Sequence, residues 1–231
     1  YSTFLQRAYD QIMEDVALQG LPVIFCIDRA GIVGEDGVTH QGIFDLSFLN
    51  SVPNLLILAP KDGKELEAML EFSFQSDKPV VIRYPKGRAQ DIKSRAQKIE
   101  LGRAEVLTEG KDFAIIGLGS MVSPALEAIG LLKQEGLSGT LVNARFFSPM
   151  DKSLFIETAN KVRFIFSAEE GIIDAGFGCA IENILGRPVI KIGLPREFIC
   201  QGERELLLDK YGLSASGIVN KVKSILRRTT V

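Results

Sequence analysis

The stretch "LPVIFCID", residues 21–28, is an apolar run in which hydrophobic side chains follow one another without alternating with polar ones. Such a run is typical of a strand in a parallel sheet that helices cover on both faces. Comparable runs recur along the chain at 54–60, 79–85, 112–119, 140–146, 163–170 and 188–195. The sequence therefore predicts sheets that are mostly parallel and buried.

Helical patterns lie between or before these runs. In the first of them the apolar side chains that share one face are Leu5, Ala8, Ile12 and Val16, and the pattern closes at Gly20. A second helix starts after Asp62, which stands in N-cap spacing to Glu65, and its predicted inward side chains are Leu66, Met69, Leu70 and Phe74. Further helices are predicted over 123–136 and from about Ser214. Strands alternating with helices indicate an α/β fold.

A polar segment rich in Lys and Arg, "KGRAQDIKSRAQKIELG" at 86–102, separates the chain into two units. We predict an α/β unit over 1–90, and a linker with a second α/β unit over 91–231. The first unit opens on a helix and has few strands, so we expect its first strands to lie upstream of Tyr1. The chain also starts without a methionine, which favours a longer polypeptide.

Composition excludes several classes of function. The formal net charge is -2 and no basic stripe runs through the sequence, which argues against a nucleic-acid partner. No apolar run approaches the roughly 20 residues of a membrane span, so no membrane is predicted. The cysteines are widely spaced and form no C-x-x-C, so we expect free thiols and no metal site. We expect a cytoplasmic protein, and a plastid location stays open because a leader upstream of Tyr1 would not be seen.

Three glycine motifs have plain structural readings. "GLGSMV" at 117–122 follows a strand, but Val122 stands where a dinucleotide site needs its third glycine, and the next strand ends in Arg145 and not in an acid. We predict a strand–turn–helix junction there. "AGFGCA" at 175–180 is a glycine pair that opens a helix. "GEDG" at 34–37 is too short for a calcium loop.

The loop "AGIVGEDGVTHQG", residues 30–42, is the strongest functional candidate. It follows the strand 21–28, and ligands of open α/β sheets bind at the carboxyl ends of strands. Together with Arg29 it offers a carboxylate, Asp36, and the only histidine in the chain, His40. Histidine can transfer protons near neutral pH, and a nearby aspartate can orient it.

A second cation, Arg83, ends the strand at 79–85. Two arginines at neighbouring strand ends can grip a phosphate with their fork geometry. A structural reading competes with this one: the glycines of the loop would serve turn geometry, and His40 would cap a helix that starts near Asp45.

Several segments together resemble one enzyme family. They are "YSTFLQRAYDQ", "DRAGIVGEDGVTHQGIFDLSFL", "NLLILAP", "IRYPKG", "LVNARFFSPMD", "EEGIIDAGFGCA" and "GLPREFICQGERELLLDKYGLSASGI". They resemble the 1-deoxy-D-xylulose-5-phosphate synthases, which are thiamine-diphosphate enzymes of the transketolase superfamily. The resemblance covers essentially the whole chain, and implies the end of a pyrimidine-binding domain followed by a transketolase C-terminal-like domain.

The resemblance implies a transferase that condenses pyruvate with glyceraldehyde 3-phosphate and releases carbon dioxide. The product supplies isoprenoid precursors through the non-mevalonate route, and thiamine and pyridoxal biosynthesis. The cofactors implied are thiamine diphosphate and Mg2+, and a homodimer is expected. In such enzymes the cofactor carries the difficult chemistry, and the protein supplies positioning and charge complementarity.

The resemblance also implies roles for single residues. Phe4 matches the aromatic residue that stacks on the aminopyrimidine, Arg7 a cofactor-site residue and Tyr1 a substrate-site residue on the same segment. At intervals of three, these side chains share one side of a helix.

In the same way, Arg29 and Arg83 match the residues that hold the substrate phosphate. Asp36 and His40 match the pair beside the reacting carbons, to which positioning and proton transfer are assigned.

Parts of the family pattern are missing from the chain. The glutamate that contacts the pyrimidine and the G-D-G…N segment that binds the metal are absent from the sequence, so both are expected in an N-terminal region of the same polypeptide. We therefore expect the chain alone to be inactive. The alternatives are a section of a transketolase, the β subunit of a 2-oxoacid dehydrogenase, or a non-catalytic scaffold fragment.

Overall fold

A central pair of sheets organises the chain. The computed structural model describes residues 1–89, 91–92 and 98–227. Each sheet is mostly parallel and flanked by helices, which confirms the predicted fold class of two α/β units. Of the predicted linker at 86–102, residues 90 and 93–97 lie outside the described residues, and so does the predicted boundary at 90.

The first sheet has the strand order β1-β3-β2-β7. These strands are β1 (Ile24–Ile27), β2 (Leu56–Leu58), β3 (Val80–Arg83) and β7 (Phe146–Ser148). The first three pair in parallel and β7 pairs antiparallel with β2. In the register of β1 with β3, Ile27 lies opposite Arg83, so these two strands end side by side. This confirms that Arg29 and Arg83 lie at neighbouring strand ends.

The helices of the first unit include a short stretch of mixed type. In order they are a 3-10 segment Thr3–Ala8, α1 (Tyr9–Gln11), a π segment Ile12–Ala17, α2 (Asp45–Leu49) and α3 (Gly63–Phe74). The Asp62 side chain accepts a hydrogen bond from the Glu65 N–H at 2.8 Å, which confirms the predicted cap of α3. The inward placement of Phe74 was wrong: this last residue of α3 is 75 % exposed, and Phe72 packs on the core instead.

The second sheet has the order β4-β6-β5-β8-β9. Its strands are β4 (Glu105–Thr108), β5 (Phe113–Gly117), β6 (Gly139–Asn143), β8 (Phe164–Ile172) and β9 (Ile190–Leu194), and its helices are α4 (Val122–Gln134), α5 (Lys152–Lys161), α6 (Phe177–Leu185), α7 (Arg204–Lys210) and α8 (Ala215–Arg227). Strand β4 is short and half-buried, which is why its sequence lacks the apolar run of the others. The "GLGSMV" and "AGFGCA" motifs open α4 and α6, as predicted.

The predicted strand 140–146 is two strands in the structure. Strand β6 ends at Asn143. The chain turns at Arg145, which has φ +59°, and then enters the first sheet as β7. The buried Arg145 guanidinium pairs with Glu65 at 2.8 Å and with Glu105 at 2.9 Å. These charge-assisted bonds hold the reversal that carries a strand from one unit into the sheet of the other.

The hydrophobic core continues across both units. One buried cluster contains Ile27, Leu46 and Val81 from the first unit together with Ile165 and Phe177 from the second. Because interiors pack closely, the two units hold each other in position. The carboxyl end of the first sheet therefore has a fixed relation to the second unit.

Candidate active site

Arg29 and the loop of residues 30–42 are together called the 29–42 loop. A pair of glycines closes this loop at its base. The backbone N–H of Gly31 donates to the Gly42 carbonyl at 2.7 Å, and the Gly42 N–H donates back at 2.8 Å. A Cβ on Gly42 would lie 2.1 Å from the Arg29 carbonyl oxygen, so a side chain there would force the base apart. The loop is thus a closed unit mounted on the end of β1.

Aromatic rings from the chain start meet the histidine of this loop. The Tyr1 and Phe4 rings are stacked with centroids 5.4 Å apart, and the Phe4 and His40 rings meet edge to face with centroids 5.2 Å apart. The Thr3 hydroxyl donates to the Thr39 carbonyl at 3.0 Å and ties the two segments together. Phe4 nevertheless stays 45 % exposed, so ring surface is left for a ligand.

Arg29 lies between an aromatic ring and two carboxylates. Its guanidinium carbon is 3.8 Å from the Tyr1 ring centroid, a cation–π contact. The Nη1 atom donates to Asp28 at 2.6 Å, and Nε lies 3.5 Å from an Asp36 oxygen. Arg29 has φ +56°, a backbone conformation that side chains other than glycine rarely adopt. The surrounding contacts over-determine this conformation, as is typical of functional sites.

Asp36 is held as a carboxylate by Lys86. The Lys86 ammonium donates to the two carboxylate oxygens at 2.9 and 3.0 Å. This hydrogen bond, with help from Arg29, lowers the pKa of Asp36 below its ordinary value of 3.8. Asp36 is therefore an anion at neutral pH that can accept hydrogen bonds and place charge, and its contacts lie with Lys86 and Arg29 instead of with the imidazole.

The imidazole of His40 is oriented by its neighbour in sequence. The Thr39 hydroxyl lies 3.0 Å from Nδ1. This contact leaves Nε2 as the nitrogen that is available to exchange a proton with a substrate. His40 itself is half-buried. Its Nδ1 partner is a hydroxyl, so the orientation comes from Thr39 and the aromatic packing.

Arg83 lies below this surface in a buried ion pair. Its Nε and Nη2 atoms donate to the Asp45 carboxylate at 2.9 and 3.1 Å, and Nη2 also donates to the Glu170 carbonyl at 3.2 Å. Asp45 is 1 % exposed and Arg83 is 4 % exposed. A bidentate pair so deeply buried fixes the end of β3 against the first turn of α2.

The structure brings most of the predicted site residues to one place. Tyr1, Phe4, Arg29, Asp36 and His40 form one connected group at the carboxyl end of β1. Arg7 is exposed and takes part in none of these contacts, and Arg83 lies beneath the group in its ion pair with Asp45. The functional roles of all seven stay predictions.

Sequence reasoning missed residues that support the group. Lys86 follows Arg83 by three positions at the same strand end, and this position was a usable signal. Asp45 and Glu170 left no local signal, because their partners lie 38 and 138 residues away in the chain.

A second buried carboxylate lies next to Glu170. Glu169 accepts hydrogen bonds from the N–H groups of Phe177 at 2.7 Å and Gly178 at 2.8 Å, and so caps α6. Burial raises its pKa to about 7, against the opposing effect of these hydrogen bonds. The native state therefore binds more protons than the unfolded state between pH 4.5 and 7.

We expect the free energy of unfolding to fall as the pH rises through this window, since a group with a raised native pKa favours the unfolded state once it must ionise. Glu169→Gln lacks the titrating group, so the decline should be shallower in the variant. Thermal unfolding of both proteins from pH 5 to 7.5 measures the difference. Parallel pH curves for the two proteins contradict the assignment.

The sequence matches two family models in the order in which the units occur. Residues 1–91 match the transketolase pyrimidine-binding domain, and residues 102–218 match the transketolase C-terminal domain. The chain belongs to the transketolase family. The aromatic and charged group described above lies in the pyrimidine-binding unit of this transketolase-family chain.

The curated relatives of the chain belong to one group of enzymes within this family. The chain is 47 % identical over 228 residues to the 1-deoxy-D-xylulose-5-phosphate synthase of Caldanaerobacter subterraneus, covering 96 % of this chain and 37 % of that protein. It is 48 % identical over 233 residues to the synthase of Dictyoglomus turgidum, covering 98 % and 38 %. The chain thus corresponds to a C-terminal portion of these synthases and spans less than two fifths of their length.

A solved structure shares the same arrangement of units. A split-gene transketolase, described as an inactive β4 tetramer, superposes with a TM-score of 0.90 at 31 % identity, covering 98 % of this chain and 75 % of that one. The likeness extends over both units, so they are arranged in that structure as they are here.

The family match implies thiamine diphosphate, and the residues present fit one end of it. The exposed surface of Phe4, beside Tyr1 and His40, suits a flat heteroaromatic ring. Across the described residues, no group of three or more His, Cys, Asp or Glu side chains is arranged to hold a metal ion. The fit therefore concerns the pyrimidine end. The helices that the structure describes include none long and apolar enough to cross a membrane.

Proposed function

We propose that this chain is the C-terminal portion of a thiamine-diphosphate-dependent synthase that condenses pyruvate with glyceraldehyde 3-phosphate to 1-deoxy-D-xylulose 5-phosphate and carbon dioxide. The observation that carries the proposal is the 29–42 loop, which groups Arg29, Asp36 and His40 beside an exposed aromatic surface. The identity to synthases of this name over nearly the whole chain supports it.

In this proposal each group has a distinct task. The bound cofactor supplies the electron sink for decarboxylation, and Phe4 holds its pyrimidine ring by stacking. His40 exchanges a proton with the substrate through Nε2. The anionic Asp36, fixed by Lys86, accepts hydrogen bonds from substrate hydroxyl groups.

The other parts of the proposed active site are assigned to a region that precedes these residues in the polypeptide. An N-terminal region of the same polypeptide supplies the Mg2+ ligands and the glutamate that faces the pyrimidine. The coverage of the relatives, 37 % of the protein from Caldanaerobacter subterraneus, supports such a region. We also propose a cytoplasmic homodimer.

The first test is an assay of the full-length protein. With pyruvate and glyceraldehyde 3-phosphate we expect carbon dioxide release and a five-carbon ketose phosphate. A protein that uses a ketose phosphate as donor in place of pyruvate is a transketolase, and one that passes an acyl group from pyruvate to a lipoyl domain is a 2-oxoacid dehydrogenase. Either result overturns the proposal.

The isolated chain tests whether these residues form a complete cofactor site by themselves. We expect titration calorimetry of the 231-residue chain with thiamine diphosphate and Mg2+ to give a Kd no lower than about 1 mM, since the described residues fit only the pyrimidine end of the cofactor and include no metal-binding group. Binding in the micromolar range contradicts the incomplete site. The split-gene relative is described as an inactive tetramer, which supports the related expectation that the chain alone is inactive.

Arg29 is proposed to bind the substrate phosphate. We expect Arg29→Ala in the full-length protein to raise KM for glyceraldehyde 3-phosphate by about 10- to 100-fold, which is the effect of losing one charge-assisted interaction. Unphosphorylated glyceraldehyde is the matched control, because its KM should change little. Equal changes in KM for the two aldehydes would place Arg29 away from the phosphate.

A further inference from the structure

The carboxylate of Glu170 joins the second unit to the 29–42 loop. Glu170 lies on β8 and is 2 % exposed. Its Oε2 atom accepts a hydrogen bond from the backbone N–H of Ile32 at 2.9 Å. Its Oε1 atom accepts from the Ser120 hydroxyl at 2.8 Å and from Arg204 Nη2 at 2.6 Å. Both oxygens are therefore used, one toward the loop and one toward the second unit.

The loop is shaped to admit this carboxylate. A Cβ on Gly31 would lie 2.2 Å from Glu170 Oε2, and Gly31 has φ +83°, a conformation that favours glycine. Gly31 is also one half of the glycine pair that closes the base of the loop. Glu170 thus holds the loop at the point where its two ends meet.

The same residue reaches the second arginine of the site. The backbone carbonyl of Glu170 accepts from Arg83 Nη2 at 3.2 Å. Glu170 has no direct bond to Arg29 among the described contacts, but both residues meet the base of the loop. Glu170 accepts from Ile32 there, and the Arg29 carbonyl lies against Gly42. Glu170 therefore contacts Arg83 itself and the base of the loop that starts at Arg29.

A neighbouring segment of the second unit supports the far side of the loop. The Gln201 amide donates to the Glu35 carbonyl at 2.9 Å, and Gln41 donates to the Cys200 carbonyl at 3.3 Å. Arg204, the cation that pairs with Glu170, starts α7 directly after this segment. The loop that carries Asp36 and His40 is consequently fixed to the second unit at its base and along one side.

We propose that Glu170 is a positioning residue of the substrate site, through which the C-terminal unit holds the 29–42 loop in the shape that binds the phosphorylated aldehyde. The inference rests on the proposed function for its kinetic consequence, while the contact between loop and carboxylate stands apart from it. It gives the C-terminal unit, which supplies none of the predicted site residues, a part in substrate binding that acts through the loop.

Glu182 offers a matched control. Its carboxylate also accepts from one backbone N–H, that of Val189 at 3.1 Å, and from one cation, Lys191 at 2.6 Å. All three residues lie in the second unit, so Glu182→Gln, like Glu170→Gln, replaces a charged oxygen acceptor by an amide without touching the loop.

The test compares Glu170→Gln and Glu182→Gln in the full-length protein. We expect Glu170→Gln to raise KM for glyceraldehyde 3-phosphate by about tenfold or more with a smaller change in kcat, because a loosened loop misplaces the phosphate site. Hydrogen exchange at the amides of 32–42 should become about tenfold faster, while exchange in β5 stays as in the wild type. Glu182→Gln should change neither quantity.

The outcomes distinguish the positioning role of Glu170 from the proposed function of the protein. Unchanged loop exchange in Glu170→Gln, or an equal effect of Glu182→Gln, overturns the positioning role. If Glu170→Gln does not fold, Ser120→Ala, which removes one bond to the same carboxylate, decides through the same exchange measurement. A wild-type protein without synthase activity overturns the proposed function alone, because hydrogen exchange in the loop still reports whether Glu170 holds the loop in place.

Discussion

We expect His40→Ala to lower kcat of the full-length protein by about 10²- to 10⁴-fold, the range typical for the loss of a general acid or base. The geometry behind this is the Thr39 hydroxyl on Nδ1, which leaves Nε2 for the substrate, and the Phe4 ring, which packs against the imidazole. Because His40 is assigned no part in holding the phosphate, KM for glyceraldehyde 3-phosphate should change much less than kcat. Steady-state kinetics with both substrates varied measure the two parameters.

A neighbour in the same loop provides the control. Val38 is 45 % exposed and takes part in none of the site contacts, so Val38→Ala should keep kcat near the wild-type value. Wild-type turnover in His40→Ala removes the proton-transfer role. An equal loss in Val38→Ala means that the loop as a whole, and not the imidazole, is what the reaction needs.

We expect Arg83→Met to cost about 3–5 kcal/mol of the free energy of unfolding, the range measured when one partner of a buried ion pair is removed. Asp45 is left as an uncompensated charge, since it is 1 % exposed and Arg83 supplies two of its hydrogen bonds. Methionine keeps much of the side-chain volume, so the loss reports the charge more than a cavity. Urea unfolding of the variant and the wild type measures it.

A double variant distinguishes the ion pair from packing. Asp45→Asn combined with Arg83→Met removes the stranded charge, so the double variant should be more stable than Arg83→Met alone. A double variant whose loss is the sum of the two single losses contradicts the coupling.

The burial of Arg83 refines the proposed phosphate site. Arg29 lies at the surface of the group and Arg83 lies beneath it, with Nε and Nη2 already bonded to protein oxygens. A ligand phosphate would therefore meet Arg29 directly and Arg83 through its remaining Nη1 atom. We accordingly place the larger kinetic effect on Arg29 and the larger effect on stability on Arg83.

The local features of this fold were predictable from the sequence. The apolar runs at 21–28 and 79–85 form neighbouring parallel strands, as predicted. Strand β3 is buried along its whole length, but β1 lies at the edge of the sheet and its Cys26 is exposed, so the predicted burial of the run at 21–28 was wrong. The capping pair Asp62 and Glu65 is encoded within four positions, which is why it could be read without coordinates. The 29–42 loop was placed at a strand's carboxyl end by chain order alone, and this was enough to gather Arg29, Asp36 and His40.

Only the tertiary structure decided what surrounds those residues. The turn at Arg145 sends β7 into the first sheet because Glu65 and Glu105 receive its guanidinium from 80 and 40 residues away. Asp36 pairs with Lys86 across 50 residues, and Ile32 with Glu170 across 138. Partners so far apart leave no periodic signal in the chain, since their pairing is a consequence of packing. The sequence by itself determined the elements and the loop, and the packing of the two units decided which charges are buried and what holds the loop in place.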